Sequence, residues 1–520
     1  MEPTSVGLDR VGRWLAMASA IVGLNQSMAG GSTGSRVRPR CRRGAVVGTA
    51  LLWLGCVGPV AAQTSLQPEG WDRGLKLPEA VDTNPDPHVV EVNLEARVAP
   101  VEIAPGQSVE AWTYNGGVPG PLIRLRVGDR LIVHFLNKLP KPTTVHWHGV
   151  RLPIQMDGVP GISQPEVKPG ESFTYDFTVP DAGLFWYHPH VMSAAQVGFG
   201  LYGALLVEDP NEHVGVPDEL VLVLSDMSVG TDGVMESPEA GGSIANMFGR
   251  EGTNVLVNGR KHSKLVVRSG APQRWRIVNV AKSRFFNLDL GGVPFRQIGG
   301  DGGLQEYAVD HDTFVLAPGE RADVIVTPRA EPGAEMTLRS VLYYRGFGTI
   351  EGRFPFDDLF TIAMADLPPN ADVRAPDTHR SIEPLPVAGA TAIDLEFTLV
   401  QGAEDPEYRI TGARFTRDKA VTAQLGETQL WTVTNKSAWS HPFHLHGYFF
   451  QVLDEHGVPV KPMAWKDTVN IPFEQTVRFI VRFDDRGGSW MFHCHILDHA
   501  EAGLMGMVDV GIAHASHEKH

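Results

Sequence analysis

The chain has 520 residues, of which 42% are hydrophobic and 20% charged, with 56 glycines and 38 prolines. These are the proportions of a globular protein rather than a disordered or collagenous one, and at about 150 residues per domain the length suggests roughly three domains. The formal net charge of −15 opposes binding to phosphate backbones, so no nucleic-acid partner is expected.

The N-terminal region has the pattern of an export signal. Residues 1–62 hold seven arginines and two acidic residues, and Gly44–Ala62 is an uncharged run of nineteen residues ending in small side chains. A basic stretch followed by such a run is typical of a signal peptide, so we expect cleavage near Gln63 and a periplasmic or secreted protein without stable membrane insertion. Arg42-Arg43 is compatible with the twin-arginine route. The alternative is an N-terminal membrane anchor, which the glycines and proline of the run disfavour.

A threefold internal repeat organises the rest of the chain. Segments such as 173–177 and 477–483 alternate apolar and polar residues at the period of a half-buried strand. Three of these apolar segments share one frame, in which asparagine follows glycine by nine positions: Gly128 to Asn137, Gly270 to Asn279 and Gly426 to Asn435. The sequence therefore predicts an all-β protein of three homologous β-sandwich or barrel domains, over 85–210, 211–370 and 385–513.

The outer repeats differ from the middle one in their histidines. Nine positions beyond the asparagine, the first and third frames reach His146 and His444, whereas the second reaches Leu288. Gly183 and Gly488 likewise precede His188 and His493 by five positions. We therefore expect the outer domains to carry ligands and the middle domain to carry apolar side chains in their place.

Four histidine clusters are the strongest chemical signal. In a strand, His-x-His directs both imidazoles to one face, which suits ligation of one metal or two adjacent metals. One isolated pair would be an ordinary core or surface feature, but four pairs in two repeated frames are not a coincidence. The clusters are His146-Trp147-His148, His188-Pro189-His190, His441-Pro442-Phe443-His444-Leu445-His446 and His493-Cys494-His495, the last followed by His499.

Cys494 is the one cysteine that remains if residues 1–62 are removed, because Cys41 and Cys56 leave with the signal. No internal disulfide is then possible. One thiolate with two imidazoles is the ligand set of a blue-copper electron-transfer site. Zinc or a catalytic thiol are the alternatives, although structural zinc usually recruits more thiolates and a nucleophile has no need of eight further paired histidines.

Across roughly residues 90–512 the chain resembles the three-domain multicopper oxidases of the bacterial laccase type. The segment Leu316–Asp323 also resembles a middle-domain segment of that family. The resemblance rests mainly on four motifs: His146-Trp147-His148-Gly149, Trp186-Tyr187-His188-Pro189-His190, His441-Pro442-Phe443-His444-Leu445-His446-Gly447 and His493-Cys494-His495-Ile496-Leu497-Asp498-His499.

The resemblance implies three cupredoxin-like Greek-key domains and four coppers per chain. By position in the motifs, a type 1 copper that accepts substrate electrons would be held by His441, Cys494 and His499. A type 2 copper would be held by His146 and His444. A type 3 pair would be held by His148, His188, His190, His446, His493 and His495. Because each outer domain supplies half of the trinuclear ligands, these domains must meet.

Three further positions bear on the mechanism that the resemblance implies. The family's axial position falls on Leu504, which cannot coordinate and would raise the reduction potential; a one-residue shift would place Met505 there instead. Asp157 matches an acidic residue near the cluster and is a candidate proton relay, with a turn aspartate before glycine as the alternative. Relatives often carry glutamate directly after the last type 1 histidine, whereas this chain has Ala500 and then Glu501, the second catalytic candidate.

The leading functional hypothesis is an exported oxidase that takes single electrons from phenols or aromatic amines and reduces O2 to water. The alternative is a metallo-oxidase acting on Cu(I), Fe(II) or Mn(II). The methionines are scattered, which disfavours Cu(I), while the acidic charge slightly favours cations. A copper-free binding protein and a nitrite reductase fit less well, because all ten histidines and Cys494 are present and the middle domain lacks ligands.

Overall fold

The computed structural model describes residues 64–346, 356–370, 377, 379–400 and 406–512. The predicted signal peptide, residues 1–62, lies outside these residues, so export stays a prediction. Within the described residues no helix is long and apolar enough to cross a membrane. Over these ranges the chain forms six sheets and few helices, which is the all-β architecture expected from the alternating sequence.

The first domain consists of two four-stranded sheets. Alternation along the chain decides the inward faces, since Leu131, Val133 and Phe135 are buried while their neighbours are not. The sheets have the strand orders β2-β1-β4-β6 and β3-β8-β7-β5. Helix α1 spans Ser193–Gly198 and a 3-10 turn spans Ile154–Met156. The strands are β1 Val89–Ala104, β2 Gln107–Tyr114, β3 Gly120–Arg126, β4 Arg130–Asn137, β5 His146–His148, β6 Ser172–Thr178, β7 Gly183–His188 and β8 Gly203–Glu208.

The middle domain pairs a six-stranded sheet, β10-β9-β12-β17-β14-β15, with a five-stranded one, β11-β19-β18-β13-β16. Leu288 and Leu290 are fully buried in its core, as expected from their place in the repeat. Helix α2 spans Gly242–Phe248. The strands are β9 Glu219–Met227, β10 Asn254–Val257, β11 Ser263–Val267, β12 Gln273–Asn279, β13 Phe286–Asp289, β14 Phe295–Gly300, β15 Gly303–His311, β16 Thr313–Leu316, β17 Arg321–Val326, β18 Glu335–Val341 and β19 Phe356–Met364.

The third domain has two five-stranded sheets, β21-β20-β23-β27-β25 and β22-β29-β28-β24-β26. Helix α3 spans Leu497–Glu501 and a 3-10 turn spans Arg417–Lys419. The strands are β20 Thr391–Val400, β21 Glu407–Ile410, β22 Val421–Ala423, β23 Glu427–Asn435, β24 His441–Leu445, β25 Phe450–Leu453, β26 Thr468–Ile471, β27 Thr476–Phe483, β28 Gly488–Cys494 and β29 Met505–Val510. The positions at which one domain gives way to the next stay predictions.

The structure explains the asparagine of the repeat. Asn137, Asn279 and Asn435 are buried at the ends of β4, β12 and β23. Each side-chain amide donates to carbonyls of the following loop and of a second segment, and each side-chain oxygen accepts the N–H two residues on. A buried amide with all these partners fixes the exit of the strand, which accounts for its recurrence in three domains.

The histidine-bearing strands lie side by side within each outer domain. In the first domain β5 pairs antiparallel with β7, so that His146 lies opposite His188. In the third domain β24 pairs antiparallel with β28, so that His444 lies opposite His493. Both pairs of strands therefore present histidines at corresponding positions, as the repeated frames predict.

Candidate metal centres

Cys494 lies among the nitrogens of two imidazoles, all within the third domain. Its Sγ is 3.4 Å from Nδ1 of His441 and 3.8 Å from Nδ1 of His499, and these two Nδ1 atoms are 3.1 Å apart. The cysteine ends β28, His441 begins β24 and His499 lies in α3. All three side chains are buried, so the structure brings together the residues that the spacing predicts.

Each imidazole of this group is held at its other nitrogen. Nε2 of His499 is 3.1 Å from the carbonyl oxygen of Met247, and Nε2 of His441 is 2.7 Å from Oγ of Ser437. A carbonyl oxygen only accepts, so His499 carries its proton on Nε2 and turns the lone pair of Nδ1 toward Cys494. The tautomer that a metal requires is thus set by the backbone of α2.

Burial controls the protonation of this group. It lowers the pKa of His441 to about 3 and raises the pKa of the Cys494 thiol well above its usual range. Neutral imidazoles are ready ligands, whereas the thiolate needs a nearby cation to form. The donor set therefore fits a soft metal ion better than a catalytic thiol.

The two residues considered for the axial position lie in different surroundings. Leu504 is fully buried in the same apolar core as Cys494, and its carbonyl accepts the N–H of Cys494 at 3.0 Å. Met505 pairs with His493 across β28 and β29 and packs beside Met491 and Met507. Leu504 therefore shares its apolar core with Cys494, whereas Met505 packs in a separate cluster, and the axial position stays a prediction.

Eight histidines from the two outer domains form three groups, two of which share His148. In each group the possible ligand atoms lie within 4.8 Å of one another. Every group combines residues from β5 or the β7 region with residues from β24 or the β28 region, so none can form within one domain. The groups are His146, His148 and His444; His148, His188 and His495; and His190, His446 and His493.

Backbone carbonyls and carboxylates set the tautomers of these histidines. Nδ1 of His146 donates to the carbonyl of Asp157 at 2.7 Å, and Nδ1 of His493 donates to the carbonyl of Cys494 at 2.9 Å. Burial, together with the neighbouring His146, lowers the pKa of His190 to about 3. In each ring, the nitrogen opposite the donor keeps a lone pair that can bind a metal.

Whether a metal ion fits this site can be judged from the ring nitrogens that have no other partner. Within the described residues, several buried ring nitrogens have no hydrogen-bond partner: Nε2 of His146, His188 and His444, Nδ1 of His148, and both nitrogens of His495. Buried polar atoms are rarely left in this state. Nε2 of His446 is also only 3.1 Å from Nε2 of His493, although both rings carry their proton on Nδ1. Several nitrogen lone pairs therefore face one another in a buried space, which is the arrangement that metal ions require of their ligands.

Asp157 lies between two of these rings. Its Oδ2 is 2.9 Å from Nδ1 of His446 and its Oδ1 is 3.2 Å from Nδ1 of His146. Burial by itself raises the pKa of Asp157, but His446 and His146 lower it by more, so the carboxylate stays ionised. Asp157 therefore orients one ring from each outer domain, and its role as a proton relay stays a prediction.

Glu501, the second catalytic candidate, contacts helix α1. Its Oε1 accepts the backbone N–H of Ala194 at 2.9 Å, at the start of α1, and burial raises the pKa of its carboxyl. The metal-competent groups found in the described residues do not include it. The structure thus places Glu501 at the contact between α3 and α1, and its catalytic role remains a prediction.

Sequence reasoning missed the residues that hold the ligands. Asp467 has Oδ1 at 3.2 Å from Nε2 of His148 and at 3.3 Å from Nδ1 of His444, and it pairs with Arg321 of the middle domain. Ser437 and the carbonyl of Met247 support the Cys494 group. None of these residues lies in a histidine motif. Arg321 is part of Leu316–Asp323, the segment that resembles a middle-domain segment of the family, but that resemblance assigns no role to it.

Comparison with known proteins decides the family. Three profiles described as multicopper oxidase match residues 95–212, 391–514 and 218–336. Multicopper oxidase MmcO of Mycobacterium tuberculosis is 30% identical over 447 residues, which cover 78% of this chain and 84% of that protein. The chain belongs to the multicopper oxidase family.

Other multicopper oxidases are similar over comparable lengths. A laccase of Bacillus subtilis is 27% identical, with 78% of this chain and 90% of that protein covered. A solved structure from Campylobacter jejuni, entitled a metallo-oxidase, superposes with a TM-score of 0.75 at 27% identity, covering 84% of this chain and 94% of that one. The chain is therefore a copper oxidoreductase that uses O2, built from cupredoxin-like domains, and the family implies four coppers of types 1, 2 and 3.

Proposed function

We propose that this multicopper oxidase is an exported, laccase-like enzyme that oxidises phenols or aromatic amines one electron at a time. His441, Cys494 and His499 would hold the type 1 copper, and His146 and His444 the type 2 copper. When bound, the coppers supply single-electron uptake from the reductant and the four-electron reduction of O2 to water. The type 3 pair would be held by His148, His188, His190, His446, His493 and His495.

The chain itself provides a short route between the two centres. Cys494 is bonded through the backbone to His493 and His495, and its carbonyl accepts the Nδ1 proton of His493 at 2.9 Å. Both flanking rings belong to the histidine groups, while the thiol belongs to the other group. One strand thus joins the place where electrons enter to the place where they are used, which suits substrates that give one electron each.

The surroundings of His499 support an organic reductant. Its Nε2 contacts the Met247 carbonyl, and the next residue, Phe248, lines a cavity of about 440 Å³. Small-molecule sites commonly have volumes of about 300–1,000 Å³. Phe199, Met235 and Ile244 supply apolar surface to the same cavity. The peptide unit that joins Met247 to Phe248 therefore connects the His499 contact to a residue of the cavity wall.

Two of the three carboxylates that line the cavity, those of Asp226 and Glu251, are already paired with arginines, and the third belongs to Glu236. Asp226 binds Arg284 at 2.9 Å, and Glu251 binds Arg345 at 2.9 Å, so these carboxylates already have positive partners. Leu504 beside Cys494 agrees with a high-potential type 1 site, which suits phenols. This cavity beside the His499 contact, which combines apolar side chains with mostly ion-paired charged ones, is the observation that carries the proposal.

Oxidation of metal ions is the second candidate, since the similar Campylobacter jejuni structure is entitled a metallo-oxidase. Oxygen uptake by copper-loaded protein separates the two, with a methoxyphenol compared with Cu(I), Fe(II) and Mn(II) at matched concentrations and corrected for uncatalysed oxidation. We expect the phenol to be turned over fastest. Faster turnover of a metal ion would contradict the proposal.

A substitution in the cavity wall tests whether the phenol binds in this cavity. Ala245 lines the cavity, so Ala245→Trp should raise the KM for the phenol while leaving copper content unchanged. Ala392 is exposed on β20 and does not line the cavity, so Ala392→Trp is the matched control. Equal KM values in both variants would place the reductant elsewhere.

A further inference from the structure

We propose that Arg321, a residue of the middle domain, is a positioning residue for the trinuclear centre. It holds Asp467, whose Oδ1 lies beside Nε2 of His148 from the first domain and whose backbone carbonyl accepts the Nδ1 proton of His444 from the third. The inference rests on the ligand roles proposed above for these two histidines. It gives the middle domain, which has no ligand of its own, a direct part in forming the copper site.

The guanidinium of Arg321 is fully buried and uses all its N–H donors. Nη1 donates to Oδ1 of Asp467 at 2.7 Å and to the carbonyl of Gly319 at 3.0 Å. Nη2 donates to the other oxygen of Asp467 and to the carbonyl of Asp301, and Nε donates to the carbonyl of Leu184 at 3.1 Å. Five donors thus reach all three domains, a pattern that a lysine cannot reproduce.

Asp467 passes this constraint on to the ligands. Its Oδ1 lies 3.2 Å from Nε2 of His148, and its backbone carbonyl accepts the Nδ1 proton of His444 at 3.0 Å. The two rings stack, with centroids 3.7 Å apart and planes 11° from parallel. Because these contacts take up one nitrogen of each ring, the nitrogens left for a metal are Nδ1 of His148 and Nε2 of His444, the two that have no partner within the described residues.

Two glycines show how closely this arrangement is packed. A Cβ at Gly149, which has φ +84°, would lie 2.7 Å from Oδ2 of Asp467 and closer still to Nη2 of Arg321. A Cβ at Gly319, with φ +87°, would lie 2.9 Å from Cγ of His495 and 3.2 Å from Cε1 of His148. The turn before Arg321 therefore rests directly on two ligand rings. The glycine that ends the first histidine motif leaves room for the Arg321–Asp467 pair.

Surrounding charges keep the pair ionised. Burial alone raises the pKa of Asp467, but Arg321 holds it well below its usual range. Asp301 accepts the backbone N–H of Arg321 at 2.9 Å, and Nζ of Lys466 lies 3.2 Å from Asp301 and 3.3 Å from Glu320. Buried ion pairs often add little net stability, so the geometry that this network imposes on two histidines is its more specific effect.

The test compares Arg321→Lys with Arg274→Lys. Arg274 is a buried arginine of the same domain that binds Asp323 at 2.9 Å, and its ion partners do not include a histidine. Both variants are loaded with copper, and copper per chain, the type 2 electron paramagnetic resonance signal and the blue type 1 absorption are measured. Loss of a partner of a metal ligand typically lowers metal affinity by roughly 10–100-fold.

We expect Arg321→Lys to keep the blue absorption, to lose trinuclear copper to a chelator at least about tenfold more readily, and to show a changed type 2 signal. Arg274→Lys should retain the parent signals. Identical spectra and copper retention in Arg321→Lys and parent would overturn the inference, as would equal losses in both variants. If Arg321→Lys does not fold, Asp467→Asn takes its place with the same expectations. A parent protein that never binds trinuclear copper would instead refute the proposed function.

Discussion

The two candidate metal centres differ in how the chain builds them. The Cys494 group comes from one domain, within residues 441–499, and its supports are a serine four residues from His441 and one carbonyl of α2. The eight histidines meet only where two domains dock, and their supports, Asp157, Asp467 and Arg321, come from all three domains. The comparison indicates that one domain supplies all the ligands of the first centre, with one support from the middle domain, whereas the second centre needs ligands from two domains and supports from all three.

The largest expected effect comes from removing the first centre while leaving the second. Cys494→Ser replaces the thiolate with a hydroxyl, which is a poor ligand for the type 1 copper. We expect the blue absorption to vanish and oxidase turnover to fall to background. The trinuclear histidines are untouched, so about three coppers per chain should remain by elemental analysis. Full turnover of the variant would contradict the role of Cys494.

Asp157→Asn perturbs the second centre alone. The carboxylate accepts the Nδ1 proton of His446 and lies 3.2 Å from Nδ1 of His146, and a proton relay there would contribute roughly 10²–10⁴-fold to the step it serves. We expect slower reoxidation by O2 and unchanged reduction of the type 1 site by substrate, both followed by rapid-mixing spectroscopy. Asp129 is also buried but accepts the N–H of Arg126 instead, so Asp129→Asn is the control. Equal slowing of both half-reactions would argue against the relay.

Leu504→Met tests the apolar side of the first centre. A thioether near the copper should lower the type 1 reduction potential and slow the oxidation of high-potential phenols several-fold, because the axial ligand tunes the potential. A redox titration of the blue absorption measures the change. Met505→Leu is the matched control, since Met505 packs against Met491 and Met507 and should leave the potential unchanged. A shift in that control alone would assign the axial position to Met505.

Glu501→Gln should have the smallest effect. The amide oxygen can still accept the N–H of Ala194, and Glu501 belongs to none of the metal-competent groups found in the described residues. We expect turnover within about twofold of the parent and an unchanged thermal midpoint, since the hydrogen bond is kept. A slowing of O2 reduction comparable to that of Asp157→Asn would restore Glu501 as a proton donor.

Much of the fold and the ligand set could be predicted because the information is local. Alternation of apolar and polar residues predicts the strands. The buried asparagine recurs because it fixes the end of the same strand in each domain. The His-x-His pairs are visible in the sequence because the two histidines are only two positions apart. The Arg321–Asp467 contact joins residues 146 positions apart, and no spacing predicts it. Glu501 shows a different limit of sequence reasoning. It lies in helix α3, where successive side chains point about 100° apart. A glutamate at position 501 therefore faces a different part of the structure from a glutamate at position 500, where relatives often carry it.

The most direct test of this account is the anomalous diffraction of copper-loaded crystals at the copper edge. The account predicts four peaks per chain: one among His441, Cys494 and His499, and three among the eight histidines between the first and third domains, one of them beside the stacked rings of His148 and His444. A peak at Cys494 with none among the histidines, or copper bound only elsewhere on the chain, would contradict it.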